Sequence, residues 1–275
     1  MSFAMGPALL FCPGDRPDRF GKAAARADAV VLDLEDGVSA AAKDAARDAV
    51  VRSRLDPQRT IVRVNPADSP HLVADLAAVA RSPYRTVMLP KASGSSDVDA
   101  LGDRDVVALC ETAAGVVHAA EIAAHPRVVA LMWGAEDLVA SMGGTSSRRA
   151  SGEYRAVAAH ARSQVLLAAS AAGRAAIDAI RTDIADLDGC REEAEDAAAS
   201  GFDAKAAIHP SHVAPIRDAF ASSDEQVAWA ERILTEAGTH GGAFRFEGRM
   251  VDEPVLIHAR GILARARSGA TSPRP

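Results

Sequence analysis

Short apolar runs rich in β-branched residues recur along the chain, each followed by an alanine-rich stretch whose polar residues return at helical spacing. The runs are "ALLFCP" from Ala8, "AVVLDLED" from Ala29, "TIVRVN" from Thr60, "TVMLPK" from Thr86, "VVALCET" from Val106, "VVALMWGAED" from Val128, "AAIDAIRTD" from Ala175 and "AKAAIHP" from Ala204. Intervening stretches such as "AAAKDAARDAVVRSRL" and "DVDALGDRD" end near Gly, Pro or Asp, where helices commonly stop. Continuous apolar strands alternating with helices predict a parallel sheet covered on both faces. Eight such units predict an α/β fold, a single closed (β/α)8 TIM barrel, because closure leaves no exposed edge strand. The seventh run is Ala-rich and reads as helix as readily as strand. Past about Pro210 the chain exceeds what an eighth helix needs. A helix near "DEQVAWAERILTEA", a Gly-rich loop "GTHGGAFRFEG" and a last helix near "PVLIHARGILARAR" then make a C-terminal helical extension. The expected division is a barrel over 1–215 and an extension over 216–275, with "SGATSPRP" as a loose tail.

Composition narrows the class. The 275 residues are 48% hydrophobic but only 4% aromatic, which suits helices packed closely on a sheet and argues against disorder. The net charge of −6 is interspersed, with no basic stripe, so nucleic acid is not an expected partner. No run approaches a membrane span, and the start "MSFAMGPALLFCPGD" has an apolar run too short for a signal peptide and no basic region before it. Cys12, Cys110 and Cys190 are odd in number without CxxC spacing, which points to buried free thiols and a cytoplasmic location.

In a barrel of this kind the chemistry sits where strands end. These strand ends carry Asp15 and Arg16; Asp33, Glu35 and Asp36; Arg63 and Asn65; Lys91; Glu111; Glu136 and Asp137; Arg181 and Asp183; Lys205 and His209. Asp36 could instead cap a helix and Lys91 could be a solvated loop residue. Carboxylates from separate strands suit Mg²⁺, which takes one or two of them together with waters and substrate oxygens. Glu111 and one of Glu136 and Asp137 meet that demand. Zinc is disfavoured, since HExxH is absent and His209 and His212 are separated by Pro210. Arg63 lies between apolar neighbours, so it needs an anion: a substrate carboxylate, or a carboxylate of the rim. "SMGGTSSRR" lacks the GK[ST] ending of a phosphate loop, and no GxSxG elbow occurs. By spacing alone, Asp252 in "MVDEPV" reads as the N-cap of a helix opening near Pro254.

Taken in order, "FCPGDRPDRF", "VVLDLEDGV", "IVRVN", "VMLPKA", "LCETAAGV", "WGAEDL", "KAAIHPS" and "MVDEPV" resemble the citrate lyase β-subunit-like branch of the HpcH/HpaI aldolase superfamily, akin to malyl-CoA lyases. The resemblance covers almost the whole chain. It implies a Mg²⁺-dependent carbon–carbon lyase or synthase acting on a hydroxy-acyl-CoA-type thioester, of malyl-, citramalyl-, citryl- or HMG-CoA type, with release of an acyl-CoA and an oxo-acid. It implies that Glu111 and Asp137 hold the metal and that Arg63 grips the oxo-acid carboxylate. Glu35 and Asp36 would stand near the metal's waters, with Arg16 at the same rim and Gly134 and Ala135 lining the substrate. It also implies that Asp252 is the proton donor, carried into a neighbouring subunit's site of a homo-oligomer, a trimer in relatives; this displaces the capping reading. Where relatives often read "GKxCIHPxQ", this chain has "AKAAIHPSH", on the side expected to face CoA. Two other readings stay open: a class II aldolase on free 4-hydroxy-2-oxo acids, and a lyase-complex subunit that needs an acyl-carrier partner.

Overall fold

The computed structural model describes residues 5–240 and 242–270, the last four of these by backbone alone. Each apolar run contains a strand: β1 (Ala8–Pro13), β2 (Ala29–Asp33), β3 (Thr60–Arg63), β4 (Thr86–Leu89), β5 (Asp105–Cys110), β6 (Val128–Trp133), β7 (Ala175–Asp178) and β8 (Ala204–Ala207). They pair in parallel and in chain order, and β8 returns to β1 with Ala8 opposite Lys205, closing the barrel. The ambiguous seventh run is a strand. Its register, Met132 to Ile177 on one side and Ile177 to Ala204 on the other, gives it partners on both edges that local alanine propensity does not foretell.

Side chains alternate across each strand, so every second residue faces the barrel interior. Leu9, Val31, Ile61, Met88, Leu109, Met132, Ile177 and Ala206 fill it. The same alternation, carried two residues further, aims Asp33, Arg63 and Glu111 into the barrel mouth.

Outward-facing strand residues meet the helices, and here one face is ionic. Asp178 is fully buried and accepts from Trp133 Nε1 (2.7 Å), Arg162 Nε (2.9 Å) and Lys205 Nζ (3.0 Å). Glu193 joins Lys205 at 3.3 Å and Arg148 at 2.7 Å, tying the helices Ala156–Ala171 and Leu187–Ser200 and the 144–155 loop to the barrel wall. Burial alone would raise the Asp178 pKa, but Lys205 and Arg162 outweigh it and hold the carboxyl below the usual value. Its stabilisation is therefore complete above the unfolded carboxylate pKa and is lost as pH falls through the lower folded value. Asp178→Asn keeps the volume but not the charge and should cost about 2–3 kcal/mol, the scale of hydrogen bonds to charged groups. Urea midpoints at pH 7 should show that loss, and the gap to wild type should narrow below pH ~3.

Contacts divide the chain into Met1–Arg217 and Asp218–Pro275. In the second unit the helix Asp224–Ala237 opens on a capping box of Ser223 and Gln226, and a helix runs from Glu253 to Ala270. The segment expected as a Gly-rich loop instead contains β9 (Phe244–Phe246) and the turn of a hairpin that β10 (Arg249–Val251) completes. Its two-residue turn places both Glu247 (φ 46°) and Gly248 (φ 82°) in the left-handed region, as a primed hairpin turn requires. Phe244 and Val251 pack with Ala230, Ile233, Ala259 and Ile262 as a small separate core. Of the tail expected over 268–275, the backbone of 268–270 continues the last helix, and 271–275 lie outside the described residues. Among the described residues no helix is long and apolar enough to cross a membrane, and all three cysteines are buried and free.

Candidate active site

Asp33 organises the mouth of the barrel. Its Oδ1 accepts from Arg63 Nε (2.7 Å) and the Glu35 amide (2.8 Å); Oδ2 accepts from Arg63 Nη2 (2.6 Å) and the Gly37 amide (2.9 Å). A Cβ on Gly37 would stand 2.3 Å from Asp33 Oδ2, so only glycine permits this turn. Arg63 is thereby fixed in a planar fork, with its guanidinium 4.9 Å over the Phe11 ring. Nη1, which the fork leaves out, lies 2.8 Å from Glu35 Oε2. That pair is ionic by distance only: Glu35 Oε2 is buried and accepts no hydrogen bond. Of the two anions the sequence offered Arg63, the rim carboxylates are in place, and Nη1 is the nitrogen outside the Asp33 fork.

Glu111 follows β5 and is 3% exposed. Gly134, the first residue after β6, makes room for it; a Cβ there would lie 2.8 Å from Glu111 Oε2. Burial, reinforced by the charge of Asp137, pushes the Glu111 pKa up to about 8. Such a carboxylate gains by acquiring a cation. Asp137 and Glu136 both fall in the first turn of the helix Ala135–Ser141 but diverge. Glu136 Oε1 accepts from Ser147 Oγ (2.6 Å) and ties down the following loop, whereas Asp137 stays with the cluster.

At the centre stands Lys91. Its ammonium hydrogen-bonds Glu35 Oε1 and Asp36 Oδ2 (3.3 Å), with Asp137 Oδ1 at 3.4 Å and Glu111 Oε1 at 3.9 Å. Its backbone is left-handed (φ 53°), a conformation that costs a non-glycine residue roughly 1–2 kcal/mol. The Lys91 amide donates to Glu111 Oε1 (3.2 Å), which helps hold that conformation. Burial opposes the charge of Lys91, but Glu35 and its neighbours outweigh this and raise its pKa. Burial raises the Glu35 pKa; Asp36, despite partial burial, is lowered by Lys91.

The structure thus brings together Glu35, Asp36, Arg63, Glu111, Gly134, Ala135 and Asp137. Two further residues, Asp33 and Lys91, complete the site. Sequence reasoning placed both at strand ends but gave neither a role. The signal for Asp33 was its place on the inward register of β2, opposite Arg63. Arg16 begins the helix Pro17–Arg26 and pairs with Asp18 at 3.0 Å, its side chain 44% exposed, so its guanidinium is engaged locally. Asp252 belongs to the second unit. Its carbonyl accepts from Val255 N (3.1 Å), at the N-cap position the spacing predicts. It lines a hollow of about 340 Å³ with His240, Phe244 and Leu256.

Five carboxylates (Asp33, Glu35, Asp36, Glu111, Asp137) face two cations, Arg63 and Lys91. The excess is negative and favours a divalent cation. Among the described residues no three His, Cys, Asp or Glu side chains form an all-protein metal cage. Two carboxylates with room for waters and ligand oxygens are what Mg²⁺ accepts, so the residues fit that ion.

A family model described as HpcH/HpaI aldolase/citrate lyase matches residues 8–210. A citrate lyase subunit beta-like protein of Mycobacterium tuberculosis is 57% identical over 263 residues, 96% of each chain. A (3S)-malyl-CoA thioesterase of Cereibacter sphaeroides is 35% identical over 275 residues, 95% of this chain and 94% of the other. A crystal structure of the CitE protein of M. tuberculosis with magnesium, acetoacetate and coenzyme A superposes with a TM-score of 0.92 at 56% identity. It covers 96% of this chain and 99% of the other.

Proposed function

Since this chain belongs to the HpcH/HpaI aldolase/citrate lyase family and is a carbon–carbon lyase, we propose that it cleaves, or forms, a hydroxy-acyl-CoA thioester with Mg²⁺ as cofactor. The products of cleavage are an acyl-CoA and an oxo-acid. The observation that carries this reading is the meeting of Glu111 and Asp137 beside a fixed Arg63 at one barrel mouth. Magnesium, acetoacetate and coenzyme A occupy one relative together, which supports the same cofactor and substrate class here.

Glu111 and Asp137 would hold the ion, which when bound supplies Lewis-acid stabilisation of the negative oxygen of the oxo-acid portion. Arg63, held by Asp33, presents Nη1 to the oxo-acid carboxylate and so orients the bond to be broken. The hydroxyl proton passes to one of the two rim carboxylates, Glu35 or Asp36. The carbon–carbon electron pair leaves onto the thioester as an enolate, and Asp252 protonates its α-carbon. Gly134 and Ala135 keep the substrate side of Glu111 open, and Arg16 flanks the entrance.

The extension carries Asp252 to a neighbouring barrel in a homo-oligomer, a cyclic trimer, in the cytosol. CoA, which one relative binds beside magnesium, bears the acyl group in this reading.

The test is incubation of the purified protein with malyl-, citramalyl-, citryl- and HMG-CoA, in Mg²⁺ and in chelator. Acyl-CoA and oxo-acid should appear together, from one of these thioesters, only with the metal. Free CoA with an intact hydroxy-acid would mean thioester hydrolysis and would overturn the lyase reading.

Arg63→Lys keeps a cation but loses the fork. Oxo-acid binding should weaken by about 1–3 kcal/mol, the range for charge-assisted hydrogen bonds. Calorimetry with acetoacetate or oxaloacetate in Mg²⁺ reads this, and an unchanged affinity would leave Arg63 only its contacts with Asp33 and Glu35.

A further inference from the structure

We propose that Lys91 determines which divalent cation the site accepts, by withdrawing Glu35 and Asp36 from the donor set. The inference rests on the magnesium reading above. Four carboxylates surround the Lys91 ammonium, but unequally. Glu35 and Asp36 take its hydrogen bonds, while Asp137 (3.4 Å) and Glu111 (3.9 Å) receive only its charge. The second oxygen of Glu35 already faces Arg63 Nη1 at 2.8 Å, so both of its oxygens meet fixed cations. Of the four, only Glu111 and Asp137 accept no hydrogen bond from a cationic side chain.

That division matches one ion and not another. Magnesium is satisfied by two carboxylates, with waters and substrate oxygens completing an octahedron. Calcium takes six to eight oxygens, often from bidentate carboxylates, and would gain most from two more acids at the rim. Lys91 denies it those acids and adds a positive charge beside the remaining pair. The left-handed backbone at Lys91 supports the same assignment. Its amide bond to Glu111 fixes where the side chain starts, beside the cluster.

Calorimetric titration of the whole chain with Mg²⁺ and with Ca²⁺, without substrate, tests the assignment. In Lys91→Met, whose unbranched side chain fits the same space, the ratio of calcium to magnesium affinity should rise by about tenfold or more. Lys91→Arg retains the cation and should keep the wild-type ratio. Adding Asp36→Asn to Lys91→Met should take back much of the calcium gain. Should the Met variant fail to fold by circular dichroism, Lys91→Gln makes the same comparison. An unchanged ratio in a folded, magnesium-binding Lys91→Met protein overturns the role of Lys91 alone, as does an Arg variant that behaves like Met. Absence of binding by either ion in the wild type overturns the magnesium reading and this inference with it.

Discussion

Asp252→Asn leaves magnesium and oxo-acid binding intact while carbon–carbon cleavage falls by ~10²–10⁴-fold, the effect of removing a general acid–base. The isosteric amide keeps the N-cap position and the helix from Glu253, so a folding defect is not the expected cause of the loss. The proton it would deliver goes to the α-carbon of a thioester enolate, a site that water protonates poorly once the mouth is filled. Because Asp252 lies in the second unit, its assignment to a neighbouring barrel makes a sharp demand on mixtures. Glu111→Ala supplies an intact Asp252 and a dead barrel; Asp252→Asn supplies the converse. Random exchange in a closed ring pairs a good barrel with a good acid at about a quarter of the sites. Equal mixing after demonstrated subunit exchange should therefore recover activity approaching that fraction of wild type. No recovery would mean that Asp252 serves its own barrel or only heads its helix.

Glu111→Ala and Asp137→Ala each abolish magnesium binding and cut turnover by about 10³-fold or more, since Lewis-acid stabilisation supplies several kcal/mol of the barrier reduction. The fold should survive both. Asp137 is 42% exposed at its side chain, and Glu111 is a carboxylate that burial already disfavours in its charged form. In chelator near pH 8, Glu111→Ala should melt no lower than wild type apart from a small cavity effect, the signature of a group held for chemistry and not for stability. Magnesium calorimetry, initial rates and melting curves on the same preparations separate these effects. Undiminished turnover by either variant, or by wild type in chelator, would remove the metal from the mechanism.

The barrel was legible because each strand is a compact apolar run and each connection has helical spacing. Even β7, with its alanines, was recognisable by position in the series, though only pairing with Met132 and Ala204 decides it. The hairpin β9–β10 was hidden: three-residue strands show almost no alternation, and the turn relies on Glu247 in a conformation that a glycine usually signals. At the site, residue types at strand ends gave the ingredients but not the pairings. Sequence could not choose between Glu136 and Asp137 from spacing, because the choice is made by Ser147, eleven residues beyond Glu136. Nor could it separate Lys91 from any loop lysine, since its meaning comes from four acids on three other connections.

Barrel closure has a consequence for the birth of the protein. β1 pairs with β2 early, but its other edge waits for β8, which leaves the ribosome about 200 residues later. At elongation rates of roughly 5–20 residues per second, that edge stays open for about ten to forty seconds. Throughout that interval Leu9 and Phe11, destined for the barrel interior, lie on a strand able to pair with a neighbouring nascent chain. Synthesis rate and chaperone supply, rather than the finished barrel's stability, would then set how much of this protein reaches its native state.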